Sequence, residues 1–187
     1  MKILLDTGVL VSAAELGEAI GADAESINNW IRREVITRAP IGGRQIARHR
    51  LFKPEEVYRA AVTNELVQLR IPPSLAGEAA SQLWKEGEKV ELWKEWGKEV
   101  LLSGKNIYAV ISPSGDSWAA SLCWQNLSGG PLYRILKRPM PGSLEEIELP
   151  KRAFAAIPLS EVFAQVTRRL LTFLSEPKRR GSKDARS

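Results

Sequence analysis

The sequence predicts an α+β fold, on three observations. Two short helical patterns, separated by one glycine, occupy residues 12–33. Runs of β-branched and aromatic residues bounded by turn residues flank Gly42-Gly43 and return across residues 105–125. Helical periodicity then closes the chain in "LSEVFAQVTRRLLTFL", residues 159–174. At 187 residues, 44% hydrophobic and 26% charged, the chain suffices for one domain or two small ones with a buried core.

In "SAAELGEAIG", Ser12 stands three residues before Glu15, so each side chain can satisfy a backbone N–H of the first turn. Leu16 and Ile20 share a face, and Gly21 is placed to end the helix. In "ADAESINNWIRRE", Asp23 is the expected N-cap, and Ile27, Trp30 and Ile31 form the apolar stripe. Asn28, Asn29, Arg32 and Arg33 fall off or beside that stripe. Two short helices joined by a tight glycine turn read as a helix-turn-helix. "VITRAPIGGRQIARHRLF" changes period and is expected to be a β-hairpin, a wing, with the glycines at its tip. "KPEEVYRAAVTNELVQL" predicts a third helix, with Pro54 at its first position and Glu55 and Glu56 in the positive-dipole turn. "IPPSLAGEAASQLWKEGE" predicts a fourth, ending near Gly87.

Residues 88 to about 105 read as a tryptophan-bearing connector. Two strands around a turn at residues 113–116 follow, then a third strand in "PLYRILK" and another in "RAFAAIPL". In the closing helix, Val162, Phe163, Val166, Leu170, Phe173 and Leu174 share the apolar face. The expected organisation is a winged helix-turn-helix domain over residues 1–87 and a small α+β domain over 88–175, with a β-hairpin and an amphipathic C-terminal helix. The second domain would oligomerise the chain or sense a signal. Residues 176–187 form a basic tail, expected to be disordered.

The net charge is +5 and unevenly spread. Residues 32–53 hold seven basic groups (Arg32, Arg33, Arg38, Arg44, Arg48, Arg50, Lys53) against Glu34 alone, a local balance of +6. The tail holds five basic residues against Glu176 and Asp184, a further +3, so the remainder is acidic on balance. Two basic segments on a mixed-charge chain are the footprint of nucleic-acid contact. No apolar run approaches the roughly 18 residues that span a bilayer, so no membrane contact is expected. Asp6 interrupts the apolar start, which therefore does not read as a secretory signal. Cys123 is the only cysteine and His49 the only histidine. An internal disulfide and a Cys-rich zinc site are excluded, and a cytoplasmic location is expected. No Ser/His/Asp set, Cys/His pair, phosphate-binding glycine loop or metal-ligand spacing is present, so neither an enzyme nor a cofactor is expected.

The segments "LVSAAELGEAIGADAESINNWIRREVI", "RLFKPEEVYRA" and "VTNELVQLRIPPSLAGEAASQLW" together resemble the DNA-binding domain of the MerR family of bacterial transcription regulators. Arg50 and Phe52 match that family's Arg-x-aromatic step, and Glu25, Ser26, Ile27 and Trp30 match the start and aromatic of its recognition helix. Asn28 stands where the family usually has Arg. The long helix with which the family dimerises has no counterpart after Gly87. The resemblance implies a bacterial or phage transcription regulator that binds double-stranded DNA as a homodimer or higher homo-oligomer. RNA polymerase, or a recombination enzyme, would be its protein partner.

The candidate DNA-contacting residues are Ser26, Asn28, Asn29, Arg32, Arg33, Arg38, Arg44, Arg48, Arg50 and Lys53. A helix in the major groove would pair Asn28 or Asn29 with adenine and Arg32 with guanine. Ser26, near the helix start, would face phosphate. Arg38, Arg44, Arg48 and Arg50 would follow the phosphate track, with Arg44 the natural cation to enter a minor groove. His49 reads as a surface residue of the wing. Two other readings stay open: an architectural protein of the excisionase or terminase-small-subunit type, and a protein-interaction adaptor. Trp84, Trp93, Trp96, Trp118 and Trp124 read either as core or, with Glu88, Glu91, Glu95 and Glu99, as a pocket for a cation.

Overall fold

The computed structural model describes residues 10–36, 51–89, 91–96, 105–114, 117–126, 128, 133–134 and 155–175. It mixes helices with two small antiparallel sheets. Helix α1 (Ala13–Ile20) starts at the expected capping box. The Ser12 N–H donates to Glu15 Oε2 at 2.8 Å, and the Glu15 N–H donates to Ser12 Oγ at 3.3 Å. Gly21 ends the helix at φ +74°, a conformation open to glycine because it has no Cβ. Asp23 then caps α2 (Ala24–Arg32), and Ile27, Trp30 and Ile31 turn inward as their spacing requires. After α2 the chain enters the interior at Val35 and Ile36.

The basic segment re-emerges at β2 (Leu51–Phe52), which pairs antiparallel with β1 (Val11–Ser12), Phe52 opposite Val11. Phe52 is fully buried, which fixes the far end of that segment beside the start of α1. The remainder of the expected hairpin, residues 37–50, lies outside the described residues.

Helix α3 (Pro54–Gln68) is the central post. Val57, Tyr58, Ala60 and Leu66 are completely buried along it, and burial of a side chain such as Val57 or Leu66 adds about 1.5–3 kcal/mol relative to exposure. Several of its buried polar groups are paired, although Arg59 Nε has no hydrogen-bond partner among the described residues. Glu56 holds Arg59 at 2.9 Å, Thr63 Oγ1 donates to the Arg59 carbonyl at 3.0 Å, and Asn64 Nδ2 donates to the Ile20 carbonyl at 3.0 Å. Helix α4 (Pro73–Lys89) packs against α3 and against the larger sheet. Glu91, at φ 53°, turns the chain into the one-turn helix α5 (Leu92–Glu95).

The larger sheet comprises β3 (Lys105–Ser114), β4 (Ser117–Asn126), β5 (Tyr133–Arg134) and β6 (Ala155–Pro158), in the order β5-β4-β3-β6. Its register puts Ile107 opposite Trp124, Ala109 opposite Leu122 and Ile111 opposite Ala120, all on the face that joins the core. Pro113 and Ser114 pair with Trp118 and Ser117, so the strands run further toward the turn than the expected boundary at residue 113. Pro113 lacks an N–H, yet is tolerated near the end of a strand. Helix α6 (Leu159–Ser175) follows β6 directly, with Val162, Phe163, Val166 and Leu170 buried.

Within the stretch read as a connector, Leu92, Trp93 and Trp96 belong to the core. Leu92 is fully buried, and Trp93 and Trp96 nearly so. Trp93 stacks on Trp84 with ring centroids 4.6 Å apart and planes at 15°, and Phe163 of α6 closes on both Trp93 and Trp96. One apolar cluster thus runs from α1 through α3 and α4 to the sheet and α6, across the expected boundary at residues 87–88. No helix among the described residues is long and apolar enough to cross a membrane.

Candidate functional site

Of the candidate residues within the described chain, Ser26, Asn28, Asn29, Arg32 and Arg33 lie on α2 and its C-cap, and Lys53 lies at the start of α3. At the start of α2, Asp23 Oδ1 accepts from the Ser26 N–H at 2.7 Å and Asp23 Oδ2 accepts from Ser26 Oγ at 2.9 Å. These bonds to Ser26, the backbone one first, hold the Asp23 carboxyl below its ordinary pKa. Ser26 therefore does not offer its donors outward as the sequence suggested. Both already serve an anion, the aspartate that caps the helix.

One turn on, the outward face carries Asn28 and Arg32, both exposed, while Asn29 is half-buried beside them. Arg32 Nη2 donates to Asn29 Oδ1 at 2.6 Å. Asn29 thereby holds Arg32 through its amide oxygen. A guanidinium has five N–H donors, so this one bond leaves the fork of Arg32 with donors to spare. The bond also restricts the rotamers of a long side chain, reducing the entropy it loses on binding. Arg33 is the exposed C-cap residue, and its backbone N–H donates to the Asn29 carbonyl at 3.0 Å. Lys53, also exposed, precedes α3 directly after β2. Arg38, Arg44, Arg48, Arg50 and His49 lie outside the described residues. Before that segment Ile36 is buried, and after it Leu51 pairs with Ser12 at the start of α1.

Beyond Arg33 opens a cleft of about 480 Å³ between the end of α2, α3 and α4. Its cations, Arg33, Arg59 and Lys85, are interleaved with Glu34 and Glu78. Arg59 is already committed to Glu56 at 2.9 Å and to Ser81 Oγ at 2.6 Å. The mixed signs make this cleft a poor phosphate channel. Among the described residues, no group of three or more His, Cys, Asp or Glu side chains could hold a metal ion. Cys123 is fully buried in β4.

The cation-pocket reading of the tryptophans does not fit the geometry of Trp84, Trp93 and Trp96. Their rings cover one another and Phe163, and their exposures are 8%, 5% and 2%. Trp84 Nε1 donates to Glu88 Oε1 at 3.1 Å, and Trp93 Nε1 donates to the Trp84 carbonyl at 2.7 Å. These contacts describe a closed core with no ring face left for a ligand.

Sequence reasoning missed what holds the end of α1. The last carbonyls of α1 are capped from outside the helix. Asn64 serves Ile20, and Arg169 Nη1 donates to Glu18 and Ala19 at 3.3 and 3.0 Å. No local pattern could announce a partner 150 residues away. No protein-family model matches this chain, and no curated protein matches it.

Proposed function

We propose that the chain is a sequence-specific, double-stranded-DNA-binding transcription regulator. In this reading its N-terminal part is a winged helix-turn-helix resembling that of the MerR family. The observation that carries the reading is α2 itself. Its apolar stripe is buried, while Asn28 and Arg32 stand outward one turn apart with the Arg32 fork steadied by Asn29. A helix so divided can enter a major groove without disturbing the core. Asn28 is suited to adenine N6 and N7, and Arg32 to guanine O6 and N7.

In this reading α2 supplies the base contacts. Residues 37–50, which lead into β2 beside the start of α1, supply Arg38, Arg44, Arg48 and Arg50 to phosphates. Arg33 and Lys53 flank the same track. The remainder of the chain oligomerises the protein or senses a signal, and a homodimer would read two half-sites.

The test is a comparison of variants on a duplex selected from a random pool and on a scrambled one. Arg32→Ala should lose about 1–3 kcal/mol on the selected duplex and far less on the scrambled one. Arg44→Ala should weaken both alike and flatten the salt dependence. An Arg32→Ala variant that bound the selected duplex normally would remove α2 from the groove. Equal affinity of the parent protein for all duplexes would favour the architectural alternative.

A further inference from the structure

Helix α6 packs against α1, α3 and the larger sheet. Its first turn is tied to the sheet, since β6 runs straight into it and Ser160 Oγ accepts from the Ile107 N–H at 2.9 Å. Its middle meets α3, where the Tyr58 hydroxyl and Thr167 Oγ1 lie 2.8 Å apart and the rings of Tyr58 and Phe163 pack at 4.9 Å. Its last turns meet α1 through Arg169.

The C-terminal end of α1 can be accounted for group by group. An α-helix leaves its last four carbonyls without intrahelical partners. Here Gly17 O accepts from the N–H groups of Gly21 and Ala22, Glu18 O and Ala19 O accept from Arg169 Nη1, and Ile20 O accepts from Asn64 Nδ2. The Arg169 cation also faces the negative end of the helix dipole, and α1 has no basic residue of its own in its last turn. The guanidinium lies 3.6 Å from where a Cβ on Gly21 would stand, so it sits against the turn that aims α2.

We propose that Arg169 is a positioning residue for DNA recognition: reaching from the last helix, it locks the end of α1 and the Gly21 turn, and so sets the direction of α2. This rests on the DNA-binding reading of α2. The C-terminal half is then part of the recognition apparatus, and anything that shifts α6 on the sheet shifts α2 with it.

The experiment uses the full chain with Arg169→Ala, Arg169→Lys and Arg168→Ala, the last removing the same charge one residue away. Amide hydrogen exchange at Gly21 and Ala22 reads the lock directly. Salt-dependent DNA binding reads its consequence. Arg169→Ala should speed exchange at those two amides by about threefold to tenfold, the scale expected when an exposed charge-assisted bond is lost. Amides of α4 and β4 should be unchanged. DNA affinity should fall by a similar factor with the salt slope unchanged, whereas a lost phosphate contact would reduce that slope by about 0.9. Arg169→Lys should recover part of the protection, and Arg168→Ala should leave it intact. Unchanged exchange at Gly21 and Ala22, or a reduced salt slope in Arg169→Ala, would overturn the proposal. Faster exchange in a protein whose parent binds no duplex would instead leave the lock standing and overturn the reading of α2.

Discussion

The bond between Tyr58 and Thr167 permits the most searching test of the packing, because its direction can be deduced. Thr167 Oγ1 donates to the Phe163 carbonyl at 2.7 Å, which uses the only proton that hydroxyl has. The 2.8 Å contact is therefore Tyr58 O–H donating to Thr167. Tyr58 is 0% exposed and Thr167 2%, so water cannot replace either group. Tyr58→Phe removes a donor and leaves an acceptor that still makes its own bond, at about 0.5–1.5 kcal/mol. Thr167→Val removes the acceptor of a buried phenol, at about 1–3 kcal/mol. With both changed, two apolar surfaces meet and the phenol hydroxyl is gone. The double variant should thus be more stable than the two single losses imply, by about 1 kcal/mol. Urea unfolding followed by tryptophan fluorescence measures this, and each kcal/mol lost should lower Tm by about 2–4 °C. Additivity within about 0.3 kcal/mol would refute the claim that α6 rests on α3. Two separate transitions would show that the core divides near residues 87–88.

Ser12→Ala should destabilise the protein by about 1 kcal/mol, measured by urea unfolding, because half of the capping box of α1 is lost. Gly87→Ala would drive its Cβ into the indole of Trp93, so a loss of about 1–3 kcal/mol and a changed near-ultraviolet tryptophan spectrum are expected. The Asp23 carboxyl has a folded pKa below its ordinary 3.8, so its contribution to α2 is full above that value and disappears as pH falls through the lower folded one. An NMR titration of this carboxyl should show the depression, and Asp23→Asn should abolish the acid-induced fraying of the first turn of α2 that accompanies it.

What the sequence disclosed were features governed by neighbours in the chain. Ser12 with Glu15, Gly21, Asp23 and Pro54 mark helix ends by rules that act within four residues, and each stands where expected. The spacing of Val162, Phe163, Val166 and Leu170 identified the buried face of α6 for the same reason. The pairing of β1 with β2 was not legible, since two residues cannot display a period. Core was one of two readings open for Trp93 and Trp96, but their partners, Trp84 and Phe163, come from α4 and α6 and were not legible from a charged local sequence. Asp23 was legible as the N-cap of α2, but its second bond, to the Ser26 hydroxyl, was not. The roles of Asn64 and Arg169 depend wholly on tertiary contact.

The most direct test of the central claim is fluorescence anisotropy of the purified chain with its own upstream DNA and with a scrambled duplex, across a series of salt concentrations. The account predicts tight binding with a steep salt slope and a clear preference for the upstream duplex. Absence of binding to either duplex at the lowest salt would contradict it.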